Sequence, residues 1–167
     1  MHLDVQNYVF KTFHLWRGDR KDFDVLEIGS LDINGSIKSI FLPFSKSYLG
    51  LDIQEGPGVD LVADATKYDA FNTYDIIVCC EVFEHLEQWK EVVYNSYDNL
   101  KDGGFFVGTC AGEGRQPHSA IDDKPIKSHE YYQNVGEWNM NQTLEKAGFS
   151  FISTEVQNAD LRWYAEK

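Results

Sequence analysis

The sequence predicts an α/β fold in which a mostly parallel sheet, flanked by helices, ends in an antiparallel hairpin. Three observations predict it. Short apolar runs alternate with amphipathic stretches along most of the chain. The run Tyr-Asp-Ile-Ile-Val-Cys-Cys at 74–80 is nearly continuous in apolar residues, as a central strand buried on both faces requires. The last two strand-like runs are separated only by 157–160, a link too short for a parallel crossover.

The elements follow in order. Val5, Tyr8, Val9, Phe13 and Trp16 recur at helical spacing, so 4–16 is a helix. The apolar run 23–28 stops at Gly29 and reads as the first strand. Residues 35–42 form a short helix stopped by Pro43, and 47–53 and 59–63 form the second and third strands. After the central strand, Trp89, Val92, Val93, Tyr97 and Leu100 make a helical stripe over 88–100, ended by Asp102-Gly103-Gly104. Residues 105–110 are the fifth strand. An irregular stretch, 111–134, interrupts the rhythm and is long enough for a lid or recognition segment. A helix over 137–146 closes at Gly148, and strands at 150–156 and 161–166 complete the sheet.

Composition narrows the function. The 167 residues suit a single domain, with no repeat or linker to divide them. The net charge is −12 and the Lys and Arg residues are scattered, which argues against a nucleic-acid partner. No apolar run is long enough to span a bilayer and the N-terminus lacks a signal-peptide pattern, so no membrane and a cytoplasmic location are expected. Cys79, Cys80 and Cys110 form no C-x-x-C pair, and no His spacing suggests zinc; buried reduced thiols and no metal are expected.

In doubly wound sheets ligands bind beyond the carboxyl ends of the strands, so the residues just after each strand carry the site. Gly29 allows a sharp turn and close approach to a ligand, and Asn34-Gly35-Ser36 open the next helix. Ser30 and Asp32 stand where a G-x-G-x-x-G fingerprint would have glycine. Glu27 suits a cationic ligand better than a pyrophosphate; its alternative is a structural acid that orders its own loop. Asp52 ends the second strand, where an acid accepts hydrogen bonds from both ribose hydroxyls or else caps a turn, and Ile53 follows against a base. Asp64 and Ala65 follow the third strand, to receive an adenine amino group or to form a plain turn. Cys80 ends the central strand, and Glu81-Val82-Phe83 overhang the crevice. Phe83 faces either a sulfonium or the core. Glu84 and His85 read equally as the first turn of a helix.

Together, E-I-G at 27–29, the acid at 52, A-D-A at 63–65 and E-V-F-E-H at 81–85 resemble the class I, seven-strand S-adenosylmethionine-dependent methyltransferases. The likeness runs in order and spacing from residue 23 to the final strand. It implies a Rossmann-like three-layer α/β fold, strand order 3-2-1-4-5-7-6, and residues 1–167 as one methyltransferase domain. It implies S-adenosylmethionine as cofactor and S-adenosylhomocysteine as product. Glu27, Gly29, Ser30, Asp52, Ile53, Asp64, Ala65, Cys80 and Glu81 take the cofactor-binding role. The segment from Ser30 to Asn34 departs from the family's glycine loop.

A methyltransferase needs no covalent nucleophile of its own; it aligns an acceptor with the methyl group and, for a weakly acidic acceptor, supplies a base. His118, in the long segment, is the candidate base, and a bystander loop histidine is the alternative. His129, Tyr131 and Tyr132 form a second candidate cluster, and Arg115 suits an acidic acceptor or plain solvation. A small-molecule acceptor is expected. Two other functions fit parts of the sequence: a non-catalytic binding module on the same fold, and a nicotinamide-dependent oxidoreductase. The oxidoreductase leaves Glu27 and the terminal hairpin unexplained.

Overall fold

The structure, a computed structural model, describes residues 3–122 and 124–167. Helix α1 (Leu3–Arg17) is followed by β1 (Phe23–Ile28), α2 (Lys38–Phe41), β2 (Ser45–Asp52), β3 (Leu61–Val62) and β4 (Tyr74–Cys80). Then come α3 (Trp89–Asn99), β5 (Leu100–Ala111), α4 (Glu137–Ala147), β6 (Phe151–Gln157) and β7 (Asp160–Glu166). The strands form a seven-stranded sheet in the order β3-β2-β1-β4-β5-β7-β6. The pairs from β3 to β5 are parallel, whereas β7 runs antiparallel to both β5 and β6. The expected order and hairpin are both present.

Strand β4 explains why the sheet has two cores. Its side chains alternate with period two: Ile77 and Cys79 join the layer under α3 and α4, while Ile76, Val78 and Cys80 join the layer under α1 and α2. The first layer is built on Trp163, Phe106, Phe83 and Met140, the second on Phe13, Phe41, Phe105 and Val9. All three cysteines are buried and free. Among the described residues no helix is long and apolar enough to cross a membrane.

Several boundaries differ from the sequence expectation. The helix expected over 35–42 is only Lys38–Phe41, and Pro43 does not stop it abruptly but enters a 3-10 turn, Leu42–Phe44, where its missing N–H costs nothing. Strand β2 begins two residues earlier than expected and β3 is a two-residue strand rather than 59–63. Strand β5 starts at Leu100, directly after α3, so Asp102-Gly103-Gly104 lies inside the strand. Local turn chemistry alone could not reveal that, because β7's tail supplies the pairing: Gly103 donates to the Lys167 carbonyl, and Lys167 donates back to the Gly104 carbonyl.

Candidate functional site

A cavity of about 470 Å³ opens at the carboxyl ends of β1, β2 and β4. This is the size of a small-molecule site and the place where the strand order reverses. Its floor is the turn after β1. Gly29 adopts φ 78°, a conformation glycine takes without penalty, and a side chain there would overlap Val82. The Gly29 and Ser30 amides donate to the Leu51 carbonyl at 2.9 and 3.2 Å, which turns the chain over the end of β2. Leu31, Ile33, Asn34 and Gly35 then form one wall, so the segment that departs from the glycine pattern is itself cavity lining.

Asp52 sits at the end of β2 in the cavity wall, with Ile53 exposed beside it. One Asp52 oxygen accepts the Leu31 amide at 3.1 Å and the other the Gln54 amide at 3.0 Å. Asp64 and Ala65 line the cavity from beyond β3. The Asp64 carboxylate accepts from the Thr66 amide and hydroxyl and from the Lys67 ammonium, which with the Lys67 bond foremost lowers its pKa to about 2. Cys80 and Glu81 lie opposite. Glu81 holds a left-handed φ of 57°, uncommon for a side-chain-bearing residue. It is clamped to β5: its amide donates to the Thr109 carbonyl at 2.7 Å and its carboxylate accepts the Thr109 hydroxyl at 2.7 Å.

Two of the expected residues stand behind the wall. Glu27 is buried on the α1–α2 side of β1 and accepts the Tyr48 hydroxyl at 2.6 Å. Burial raises its pKa to about 7, against the lowering effects of the Tyr48 hydrogen bond and Lys38. Ser30 is buried where side chains on Gly50 or Gly58 would touch it. Of the two readings for Phe83, the structure has the core one: its ring stacks on Trp163 at 5.1 Å, with no exposed surface.

The far end of the cavity is closed by the long segment after β5. Val135 donates to the Ala111 carbonyl at 2.9 Å, so the segment leaves and rejoins the sheet at one point. It contributes Arg115, His118, Ser119 and Ala120 to the wall. Arg115 pairs with Asp160 and lies 3.9 Å from Glu81. His118, His85 and Tyr132 form a three-ring cluster with centroids 5.1–5.4 Å apart. Of the second candidate cluster only Tyr132 reaches this place; His129 is exposed and the Tyr131 hydroxyl donates to Gln133. Glu84 lies in the first turn of a short 3-10 helix, Phe83–His85. It is fully buried, one oxygen accepting the Ala111 amide at 3.0 Å, and its carbonyl accepts the Gln133 amide at 2.8 Å.

Residues 34–106 match the family model described as "Methyltransferase domain". Solved structures agree over nearly the whole chain. A SAM-dependent methyltransferase from Archaeoglobus fulgidus superposes with TM-score 0.67 at 17% identity, covering 97% of this chain and 92% of that one. The fold is that of the class I methyltransferases.

Two more structures with the methyltransferase fold are similar. The 1,6-didemethyltoxoflavin-N1-methyltransferase of Burkholderia thailandensis, solved with 1,6-didemethyltoxoflavin and S-adenosylhomocysteine, has TM-score 0.73 at 14% identity, over 97% of this chain and 77% of that one. Phosphoethanolamine N-methyltransferase 2 of Haemonchus contortus, solved with S-adenosyl-L-methionine, has TM-score 0.71 at 15% identity over 96% of this chain and 52% of that one. No curated protein sequence matches the chain. The methyltransferase resemblance drawn from the sequence is thus borne out by the domain match and the fold. Sequence spacing missed Leu31, Ile33 and Leu86, ordinary apolar residues that line the cavity only because the loops fold inward, whereas Val82 overhangs it as expected.

Proposed function

We propose that this chain binds S-adenosylmethionine in the cavity and catalyses transfer of its methyl group to a small-molecule acceptor, releasing S-adenosylhomocysteine. Residues 1–167 act as one domain in this reaction. The observation that carries the proposal is Asp52. Its carboxylate stands in the wall at the end of β2, and each oxygen accepts one backbone N–H. A carboxylate offers about four acceptor positions, so about two remain for the ribose hydroxyls. The tight Gly29 turn leaves room for a ligand against the backbone, and Ile53, Asp64 and Ala65 border the space for the adenine. Cys80 and Glu81 border the opposite side. Glu27 and Ser30 support the loop from behind rather than touching the ligand.

Bound S-adenosylmethionine supplies an electrophilic methyl group on a sulfonium. The chain's own contribution is alignment: an acceptor atom held in line within ~3–3.5 Å of the methyl carbon needs no covalent help. The end of the cavity lined by His85, Arg115, His118 and Ser119 is where the acceptor enters. The Burkholderia structure holds 1,6-didemethyltoxoflavin, and the Haemonchus enzyme has also been solved with phosphomonomethylethanolamine and S-adenosylhomocysteine; by analogy these support a small acceptor here.

The test is calorimetry of the purified chain with S-adenosylmethionine, S-adenosylhomocysteine and NAD in parallel. The first two are expected to bind and NAD is not. Binding of NAD alone, or of none of the three by folded protein, refutes the proposal.

A further inference from the structure

The segment after β5 brings together residues that are far apart in the sequence. Ligand atoms of Glu84, His85 and His118 all lie within 4.8 Å of one another at the acceptor end of the cavity. Two ligands of one ion at about 2.1 Å are at most about 4.2 Å apart, so a small side-chain adjustment brings all three onto a common centre. The second Glu84 oxygen carries the argument. It is buried in a residue with no exposed surface and has no hydrogen-bond partner, while its twin is held by the Ala111 amide. A buried carboxylate oxygen without a donor is costly, and a cation removes that cost.

His118 is oriented as a metal ligand is. Its Nδ1 donates to the Gln116 carbonyl at 3.2 Å, which fixes the tautomer with the lone pair on Nε2. The surrounding charge permits a cation: Glu81 acts on Glu84 electrostatically, and Arg115 is paired with Asp160 and lies 3.9 Å from Glu81.

We propose that Glu84, His85 and His118 form a binding site for a divalent transition-metal ion, with its open coordination positions facing the cavity. Two imidazoles and one carboxylate favour zinc, cobalt, iron or manganese over magnesium or calcium, which prefer all-oxygen ligands. None of the three residues is among those proposed to hold the cofactor, and the role of the site toward the acceptor rests on the proposed methyl transfer. An acceptor hydroxyl on the ion gives its proton to water. Its oxygen then forms the bond to the methyl carbon as the carbon–sulfur bond breaks, leaving a neutral thioether. The acceptor is therefore assigned an oxygen nucleophile.

The full chain, stripped with a chelator and dialysed, is titrated with zinc chloride and with cobalt chloride by calorimetry, the cobalt form also by visible absorption. One ion per chain is expected. His118→Ala and Glu84→Gln are expected to weaken binding at least about 10-fold. His129→Ala, an exposed histidine outside the cluster, is expected to bind as the parent does. No saturable binding, or undiminished binding by a folded His118→Ala variant, overturns the site. Addition of acetohydroxamate, a bidentate oxygen ligand, is expected to shift the cobalt spectrum; an unchanged spectrum overturns the acceptor role. Calorimetry with S-adenosylhomocysteine on the metal-free chain separates the two proposals. Nucleoside binding without cation binding defeats only the metal site, and the reverse defeats only the cofactor reading.

Discussion

Glu27→Gln tests what the buried acid at the end of β1 does. Glu27 is 4% exposed and its pKa is raised to about 7 from 4.5, with burial the main cause. A carboxyl whose folded pKa lies above its unfolded value stabilises the fold least when ionised. Below about pH 4.5 both states hold the proton and no cost arises. Between about pH 4.5 and about pH 7 only the unfolded chain ionises, so stability falls as pH rises; above about pH 7 the loss is complete. A shift of about 2.5 pH units corresponds to about 3 kcal/mol in total, of which about 2 kcal/mol falls between about pH 5.5 and about pH 8.5. Glutamine keeps an acceptor for the Tyr48 hydroxyl, now 2.6 Å away, and cannot ionise. Urea unfolding of both proteins across that range is the assay. The stability of the Gln variant relative to the parent is expected to rise by about 2 kcal/mol from the acid to the alkaline end. Changes common to both proteins cancel in the difference. A difference that stays flat with pH refutes the burial account. A difference that falls with pH means that Glu27 is ionised and paired in the folded chain.

Three other perturbations probe the fold and the site. Phe83→Ala removes a fully buried ring between Trp163 and Trp89 and is expected to destabilise by about 3–5 kcal/mol in thermal or urea unfolding; a loss below about 1 kcal/mol would return the ring to the cavity face. Gly108→Ala would drive a methyl group into the Cys79 carbonyl and the Trp163 ring at the centre of the sheet, and is expected to give no folded protein at ambient temperature; a parent-like circular dichroism melt refutes that packing. Asp52→Ala is expected to lower S-adenosylhomocysteine affinity at least about 10-fold by calorimetry with little change in melting temperature, since the Leu31 and Gln54 amides it accepts can turn to water; equal affinity removes Asp52 from the site.

The order of elements was legible because it rests on local patterns. Strands β1 and β4 have the boundaries their apolar runs predict, since each run is bounded by residues that cannot continue it. The hairpin followed from chain length between 157 and 160, and the positions of Asp52, Asp64, Cys80 and Glu81 around one cavity followed from the rule that parallel strands end together. By itself, then, the sequence determined the layers, the strand types and which loops meet. Only the tertiary structure decided what the side chains within those loops face. Glu27 and Ser30 turned behind the wall, because alternation along β1 sends Glu27 with Val25 toward the α1–α2 layer. Phe83 entered the core because Trp163, eighty residues on in β7, offers it a stacking partner. The Glu84, His85 and His118 cluster was invisible for a related reason. Its members are brought together by the Ala111 amide and the Gln133 amide on Glu84, hydrogen bonds between distant segments that no spacing in the sequence encodes.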